Sequence, residues 1–400
     1  MNSSRHTPKR NLTPLYCLHQ AAYFFAIAAI GAFAMTYLLH QGFDAAQIGV
    51  ILASTSILSC VLQPLIGNYV DKTSTAVLQK LIPFCLVTTL VSLSFIELFS
   101  PPKLITGALY IVGHLSFSIT IPLCNSLCAY YSQHDYSIDY GAGSGVGSLS
   151  FSFASLIFGF IIARLGPSAM MLTALLFVAA QLLMMARYPR IQPAPPRARE
   201  DHHVESSLSI PGFCLRYRLF MLTMLGVMCL AACHSMAENF LIQLFTRIGG
   251  GSEHVGIALF LACITAAPFL LFFERIQRRI NVTILLRLSG FFYVAKALLL
   301  VCAPSIVSIY LIELLQTFTY AFLYPSLYYL VLRRIRPQDM AKGQTLASAM
   351  YTLGTALGTS LGGAVIDSFG LNAMLLSAAC IAFAGTILIN ATVSRQDALA

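Results

Sequence analysis

The feature that most constrains this chain is a series of twelve long apolar runs, six on each side of a polar stretch. Each run holds about 20 residues or more, enough to cross roughly 30 Å of hydrocarbon as an α-helix. A helix satisfies its own backbone hydrogen bonds in lipid, and the runs lack the alternation typical of β-barrel strands. The sequence therefore predicts an all-α polytopic membrane protein, with spans near residues 16–39, 45–69, 78–99, 104–130, 142–163, 168–187, 217–246, 254–273, 282–303, 306–332, 341–365 and 370–393.

The composition agrees with a surface that mostly faces lipid. Charged residues make up 10% of the chain and hydrophobic residues 58%, whereas soluble domains carry about 25% charged residues. The net charge of +9 does not indicate nucleic-acid binding, because the basic residues lie between the apolar runs. With a cytoplasmic N-terminus, 20 Lys and Arg fall inside and 3 outside, which predicts both termini in the cytoplasm of a cell-membrane protein.

A polar stretch divides the chain into two halves of six runs each. Residues 188–216 are rich in Pro and Arg and include His202 and His203, a composition typical of a solvated linker. We expect an N-terminal bundle over 1–190, a cytoplasmic linker over 191–215 and a C-terminal bundle over 216–400. Two short matches, Gln47-Ile-Gly49 with His254-Val-Gly256 and 159–166 with 363–370, recur at nearly one offset and indicate parallel repeats.

These features resemble the major facilitator superfamily of transporters. The segment that runs from Gly67 through Asp71 to Lys72 is similar to the superfamily's loop motif between helices two and three, although its usual trailing basic pair is absent. The resemblance implies two six-helix bundles that rock around a central site, and it implies that this motif latches one conformation. The Gly, Asp and Lys at these three positions are therefore candidate conformational residues.

Within the superfamily, the nearest likeness is the group of lactose and phenylpropionate permeases. The helix-four segment Pro122–Asn125 has Asn125 where lactose-type permeases carry a sugar-binding Glu, and Ser144 stands near the place of their helix-five Arg. The resemblance therefore makes lactose itself an unexpected substrate. It also puts Lys296 where the group commonly has an Arg in helix nine, with Gln316 and Tyr320 on helix ten as further candidates.

Ionisable groups inside the spans are the main candidates for function, because a buried charge in a membrane is costly. Lys296 lies about fifteen residues into the ninth run and needs a carboxylate, a substrate anion or water. Glu238 in the seventh run is its best partner, and His234 lies four residues earlier on the same helical face. Asn239 is adjacent. The alternative for Lys296 is a structural ion pair or a side chain that reaches the interface, and for Glu238 an exposed position near the outer end.

Other polar residues inside the apolar runs are weaker candidates. His19 and Gln20 in the first run and His114 in the fourth either line a cavity or hydrogen-bond a neighbouring helix. Glu97 and Glu313 fall near the expected outer ends of their runs and are interpreted as interfacial. Helical spacing of Cys124 with Cys128, and of Cys229 with Cys233 and His234, could suit a metal, but no paired loop motif supports one. Three glycines in the eleventh run recur every four residues and predict close helix packing: Gly354, Gly358 and Gly362.

The combined prediction is a secondary transporter that moves a small organic solute by alternating access, by proton symport and as a monomer. It requires no cofactor, and no P-loop or hydrolase motif indicates an enzyme. The cationic Lys296 favours a solute with a carboxylate or another acceptor group. Two alternatives stay open: drug or metabolite efflux by the same fold, and a membrane sensor that transports nothing.

Overall fold

The structure is nearly all helical, and two two-residue strands are its other regular elements within the described residues. The computed structural model describes residues 10–73, 77–132, 136–190, 210–336 and 339–398. Strands β1 (Arg10–Asn11) and β2 (Tyr136–Ser137) pair in parallel. The helices are α1 (Thr13–Ile27), a π-helical turn (Ala28–Ala32), α2 (Ala34–His40), α3 (Ala45–Thr73), α4 (Leu78–Phe99), α5 (Lys103–Ser132), α6 (Tyr140–Leu165), α7 (Pro167–Met185), α8 (Ile210–Arg216), α9 (Arg218–Asn239), α10 (Leu241–Arg247), α11 (Ser252–Leu271), α12 (Phe273–Arg279), α13 (Val282–Val301), α14 (Ile306–Glu313), α15 (Gln316–Arg334), α16 (Met340–Phe369) and α17 (Leu371–Ala398).

Twelve of these helical segments are long and apolar enough to span a membrane, which confirms the predicted fold class. Three of the predicted runs, however, are broken helices rather than single rods. The first run contains the π-helical turn between α1 and α2, the seventh is interrupted at Phe240, and the tenth is interrupted between Glu313 and Gln316. Such breaks free backbone groups and are tolerated at membrane depth where the helix is buried in protein or lines a polar cavity. They mark these runs as places to look for a site.

The chain forms two compact units. Unit 1 comprises Met1–Phe33 and Val61–Ala198, and unit 2 comprises Ala34–Cys60 and Arg199–Ala400. In unit 1, α1 packs against α6 and α7, and α4 packs against α5; in unit 2, α9 packs against α16 and α17, and α13 against α15 and α17. The first half of α3 thus belongs with the later helices, while the expected bundle boundaries at 190 and 216 stay a prediction.

The first half of α3 is held in unit 2 by a close approach to α16. The Asp367 carboxylate accepts a 2.6 Å hydrogen bond from the Ala46 backbone N–H, one of the N–H groups that the first turn of a helix leaves without a partner. A Cβ added at Gly49 would lie 2.7 Å from the Thr359 carbonyl oxygen, and one at Gly363 would meet the Ala45 carbonyl. Glycine is therefore required on both helices where they meet.

Glycines also bring α16 against α9. A Cβ at Gly354 would collide with the Met228 carbonyl, and one at Gly358 with the Ala232 carbonyl, while Gly362 lies against the Phe240 ring. The expectation of close packing for this series is confirmed, since side-chain-free positions let helix backbones approach each other directly.

Two groups of predicted residues lie outside what the structure describes in full. The motif residues Gly67, Asp71 and Lys72 fall on the last turns of α3, but their side chains lie outside the described residues. The same holds for the linker histidines His202 and His203, which lie in the stretch 191–209. Their expected roles stay predictions.

Candidate functional site

Lys296 lies in the second half of α13 and is buried, with 3% of its surface exposed. Its ammonium donates to Glu238 Oε1 at 2.7 Å, to Glu313 Oε2 at 2.8 Å and to Gln316 Oε1 at 3.0 Å. An ammonium has three N–H donors, so each has an oxygen partner. We call Lys296, Glu238 and Glu313 the ionic triad.

Breaks in two helices position the acceptors of the triad. Glu313 is the last residue of α14 and Gln316 the first of α15, so the interruption of span ten presents both to the same ammonium. Glu238 is the residue before the last in α9, which ends where span seven breaks. The C-terminus of a helix carries partial negative charge, which attracts a cation and disfavours an additional anion. The helix ends therefore stabilise the positive charge of Lys296 and disfavour a negative charge on both Glu238 and Glu313 at once.

The charges of the triad do not balance if both carboxylates are ionised. Glu313 is 1% exposed, and the Glu238 side chain is 14% exposed. Burying a charge without a counter-ion costs several kcal/mol even after relaxation, and two carboxylates that share one site do not both ionise readily. Glu238 and Glu313 also lie close enough to interact electrostatically with each other, which disfavours a charge on both. One proton on the pair makes the triad neutral.

Aromatic side chains adjoin the triad on unit 2. The His234 ring, one turn before Glu238, is stacked on Tyr320 with ring centroids 5.6 Å apart, and Tyr320 is in turn stacked on Tyr324 at 5.4 Å. Tyr293 of α13 meets His234 edge-on at 5.9 Å. Five predicted residues, Lys296, Glu238, His234, Gln316 and Tyr320, thus lie together.

A second polar cluster lies inside unit 1 and contains no charged side chain. Gln20 donates from Nε2 to the Tyr16 hydroxyl at 2.6 Å, and that hydroxyl donates to Asn125 Oδ1 at 3.2 Å. His19 Nε2 lies 3.4 Å from Cys124 Sγ. His19 Nδ1 and Gln20 Oε1 are buried with no hydrogen-bond partner among the described residues. The predicted residues His19, Gln20 and Asn125 therefore form the uncharged cluster of unit 1.

The two remaining polar candidates lie outside both clusters. His114 of α5 lies beside the π-helical turn, next to Gly31, and its Nδ1 finds no partner among the described residues. Asn239 donates from Nδ2 to Thr359 Oγ1 at 2.7 Å and so joins α9 to α16. Among the described residues, no group of three or more His, Cys, Asp or Glu side chains is arranged to hold a metal.

Sequence reasoning missed Glu313, and its interpretation as an interfacial residue is wrong. The carboxylate is buried and bonded to Lys296, because the helix break brings a residue from the early part of span ten into the interior. The available signal was its spacing of three from Gln316, which places both on one helical face. The apolar residues Leu314 and Leu315 between them give no sign of a break.

Comparison with known proteins gives the family. The model described as "MFS_1 like family" matches residues 16–376. The chain belongs to this family. It is thus a multi-pass membrane transporter of the major facilitator superfamily, as the resemblance implied, and the family's members and neighbours are transporters rather than enzymes.

Sequence relatives and solved structures agree with this assignment. The chain is 24% identical to the maltose permease of Geobacillus stearothermophilus over 93% of this chain and 92% of that protein. It is also 24% identical to the uncharacterized transporter YwbF of Bacillus subtilis (strain 168), over 92% and 91%. A crystal structure of a mutant of the nucleoside transporter NupG superposes with a TM-score of 0.80 at 17% identity, over 94% of this chain and 99% of that one. At 17% sequence identity, this structural similarity is evidence for a shared fold.

Proposed function

We propose that this transporter is a proton-coupled symporter and that Glu238 and Glu313 carry the coupled proton beside Lys296. The observation that supports the proposal is a single buried ammonium bound to two carboxylates at 2.7 and 2.8 Å. A buried group of this composition is neutral with one added proton and carries a charge of −1 without it. It is therefore a site that binds one proton and releases it when water enters.

The difference between the two charge states would supply the coupling. The neutral triad can be enclosed away from water at little cost, whereas the anionic triad is stabilised by contact with water. Glu238 is the more exposed carboxylate and Glu313 is almost fully enclosed, so the proton enters and leaves through Glu238. Protonation is then a condition for closing the site around its solute.

Lys296 does not need a carboxylate on the solute, because two protein carboxylates already neutralise it. This removes the reason for expecting an anionic solute. The names of the relatives, a maltose permease and a nucleoside transporter, support a small polar organic solute. The distribution of basic residues supports termini in the cytoplasm; the cell membrane and a monomeric state remain predictions.

Transport in proteoliposomes tests the coupling. We expect labelled maltose or uridine to accumulate in response to an inward proton gradient, with proton entry detected by a trapped pH-sensitive dye. Glu313→Gln leaves Lys296 and Glu238 as a permanently neutral pair, so the variant should retain solute exchange and lose gradient-driven accumulation. Glu274→Gln, which removes an exposed carboxylate paired with Arg278, is the matched control and should behave like the unmodified protein.

The same assay separates the alternatives. Accumulation that ignores the proton gradient, or that survives unchanged in Glu313→Gln, would refute proton coupling through the triad. Uptake confined to inverted vesicles would assign efflux instead of import. No flux of any solute would favour a membrane sensor.

A further inference from the structure

Five rings of unit 2 form a continuous aromatic surface next to the ionic triad. The His234, Tyr320 and Tyr324 rings follow one another in parallel stacks, with interplanar angles of 20° and 19°. Tyr351 of α16 meets Tyr324 edge-on at 5.5 Å, and Tyr293 meets His234 edge-on at 5.9 Å. We call these five residues the aromatic platform.

The platform differs from ordinary packing in a membrane span. Tyr324 lies in the middle of α15 and is 48% exposed, where a lipid-facing or packed position would be served by Leu or Phe without a hydroxyl to satisfy. Gln316, Tyr320 and Tyr324 recur every four residues, so they share one face of α15. The platform therefore continues the polar face that begins at the triad.

The Tyr293 hydroxyl is an independent sign of a ligand. It is buried and has no hydrogen-bond partner among the described residues, although buried hydroxyls in native proteins are almost always paired. Glu238, Tyr320 and Tyr351 lie close enough to interact with it electrostatically. A hydroxyl group that arrives with the solute would complete the hydrogen bonding of Tyr293.

The charges of the same face limit what the platform can bind. Its rings carry no formal charge when His234 is neutral, and the single lysine beside them is already bonded to two carboxylates. An anionic solute would find no free counter-charge here, and a cationic solute would find none while the two carboxylates hold a proton. Flat π-faces instead suit a planar base or the C–H face of a sugar ring, both of which stack on tyrosine.

We propose that the aromatic platform is the solute-binding surface of unit 2 and that it takes an uncharged, ring-containing solute with at least one free hydroxyl. The ring stacks on Tyr324, the exposed member of the stack, and a solute hydroxyl bonds Tyr293. This proposal rests on the proposed function in one respect: the solute is expected to bind on the face of α15 that also adjoins the proton-binding triad. A disaccharide and a nucleoside both have this chemistry.

Equilibrium binding to the purified, detergent-solubilised protein tests the platform without any proton gradient. The probes are maltose and uridine, with glutamate as a charged solute, and the readout is isothermal titration calorimetry. We expect maltose or uridine to bind and glutamate not to bind. Tyr324→Leu should weaken that binding roughly tenfold, the equivalent of losing one good aromatic contact, whereas Tyr324→Phe should keep most of it. Phe291→Leu, at a ring that is 63% exposed on α13, is the control and should change nothing.

Tyr293→Phe separates a ligand contact from a structural role. The hydroxyl has no protein partner among the described residues, so its removal should leave the melting temperature unchanged while weakening solute binding about fivefold. The proposal is overturned if neither maltose nor uridine binds, if glutamate binds better than both, or if Tyr324→Leu and Tyr293→Phe bind as tightly as the unmodified protein. Loss of coupling is scored separately, because Glu313→Gln should still bind the solute.

Discussion

The two units each bury a polar cluster, and the clusters differ in kind. In unit 1, Tyr16, Gln20 and Asn125 form a chain of hydrogen bonds between neutral groups. In unit 2, Lys296 holds two carboxylates in an ionic triad. The one titratable side chain of the unit 1 cluster named here, His19, is neutral without a proton and can be enclosed as it is, whereas the triad must gain a proton to become neutral. Any dependence of transport on pH near neutrality should therefore originate in unit 2.

The largest expected effect is that of Lys296→Ala, which removes the charge at the centre of the triad. We expect solute uptake to fall roughly a hundredfold or more, because removing one partner of a buried ion pair costs about 3–5 kcal/mol. Uptake into cells is the measurement, normalised to the amount of protein in the membrane. Lys103→Ala, at an exposed lysine at the start of α5, is the control. Unchanged uptake in Lys296→Ala would remove the triad from the mechanism.

A smaller effect is expected from Gln20→Leu, which disrupts the neutral cluster of unit 1. The change removes the 2.6 Å hydrogen bond to Tyr16 and so weakens the cluster by about 1 kcal/mol. Uptake should fall by roughly fivefold or less at every pH, leaving the shape of the pH profile intact. Gln316→Leu, the matched change in unit 2, should alter that shape. A pH profile that changes in Gln20→Leu and not in Gln316→Leu would place the origin of the pH dependence in unit 1 instead of unit 2.

Helix packing extends the comparison to stability. In unit 2, a Cβ at Gly358 would strike the Ala232 backbone, whereas in unit 1 a Cβ at Gly147 would meet only the Phe24 ring, at 2.5 Å. Backbone cannot move aside as a side chain can, so Gly358→Ala should cost more, about 1–3 kcal/mol. We expect a lower melting temperature for Gly358→Ala than for Gly147→Ala in the purified protein. Equal melting temperatures would mean that α9 and α16 adjust more freely than their contact indicates.

The smallest expected effect is that of Asn239→Ala, which removes the 2.7 Å hydrogen bond to Thr359. This bond joins α9 to α16 beside the triad without touching it. We expect a loss of about 0.5–1.5 kcal/mol of stability, seen as a melting point a few degrees lower, with proton coupling unchanged. Loss of coupling at full stability would instead assign Asn239 to the site.

The sequence predicts the spans and the central ion pair, but not the full site. Apolar runs reveal spans because lipid leaves the chain little choice of structure. The pairing of Lys296 with Glu238 was predictable because an ammonium inside a membrane requires a counter-charge. The role of Glu313 was not, because the break that carries it inward lies between two leucines. The separation of His19 and Gln20 from the triad into another unit is likewise a property of tertiary packing and not of local spacing.

The central claim is that the two carboxylates of the triad share one proton at neutral pH. Infrared spectroscopy of the purified protein measures this directly, through the C=O stretch of a protonated carboxyl group and its shift in D₂O. We expect the unmodified protein to show this band and both Glu238→Gln and Glu313→Gln to lose it, because each leaves a neutral Lys–Glu ion pair, while Glu274→Gln keeps it. A protein without the band at neutral pH, or a band that persists in both triad variants, would contradict the account.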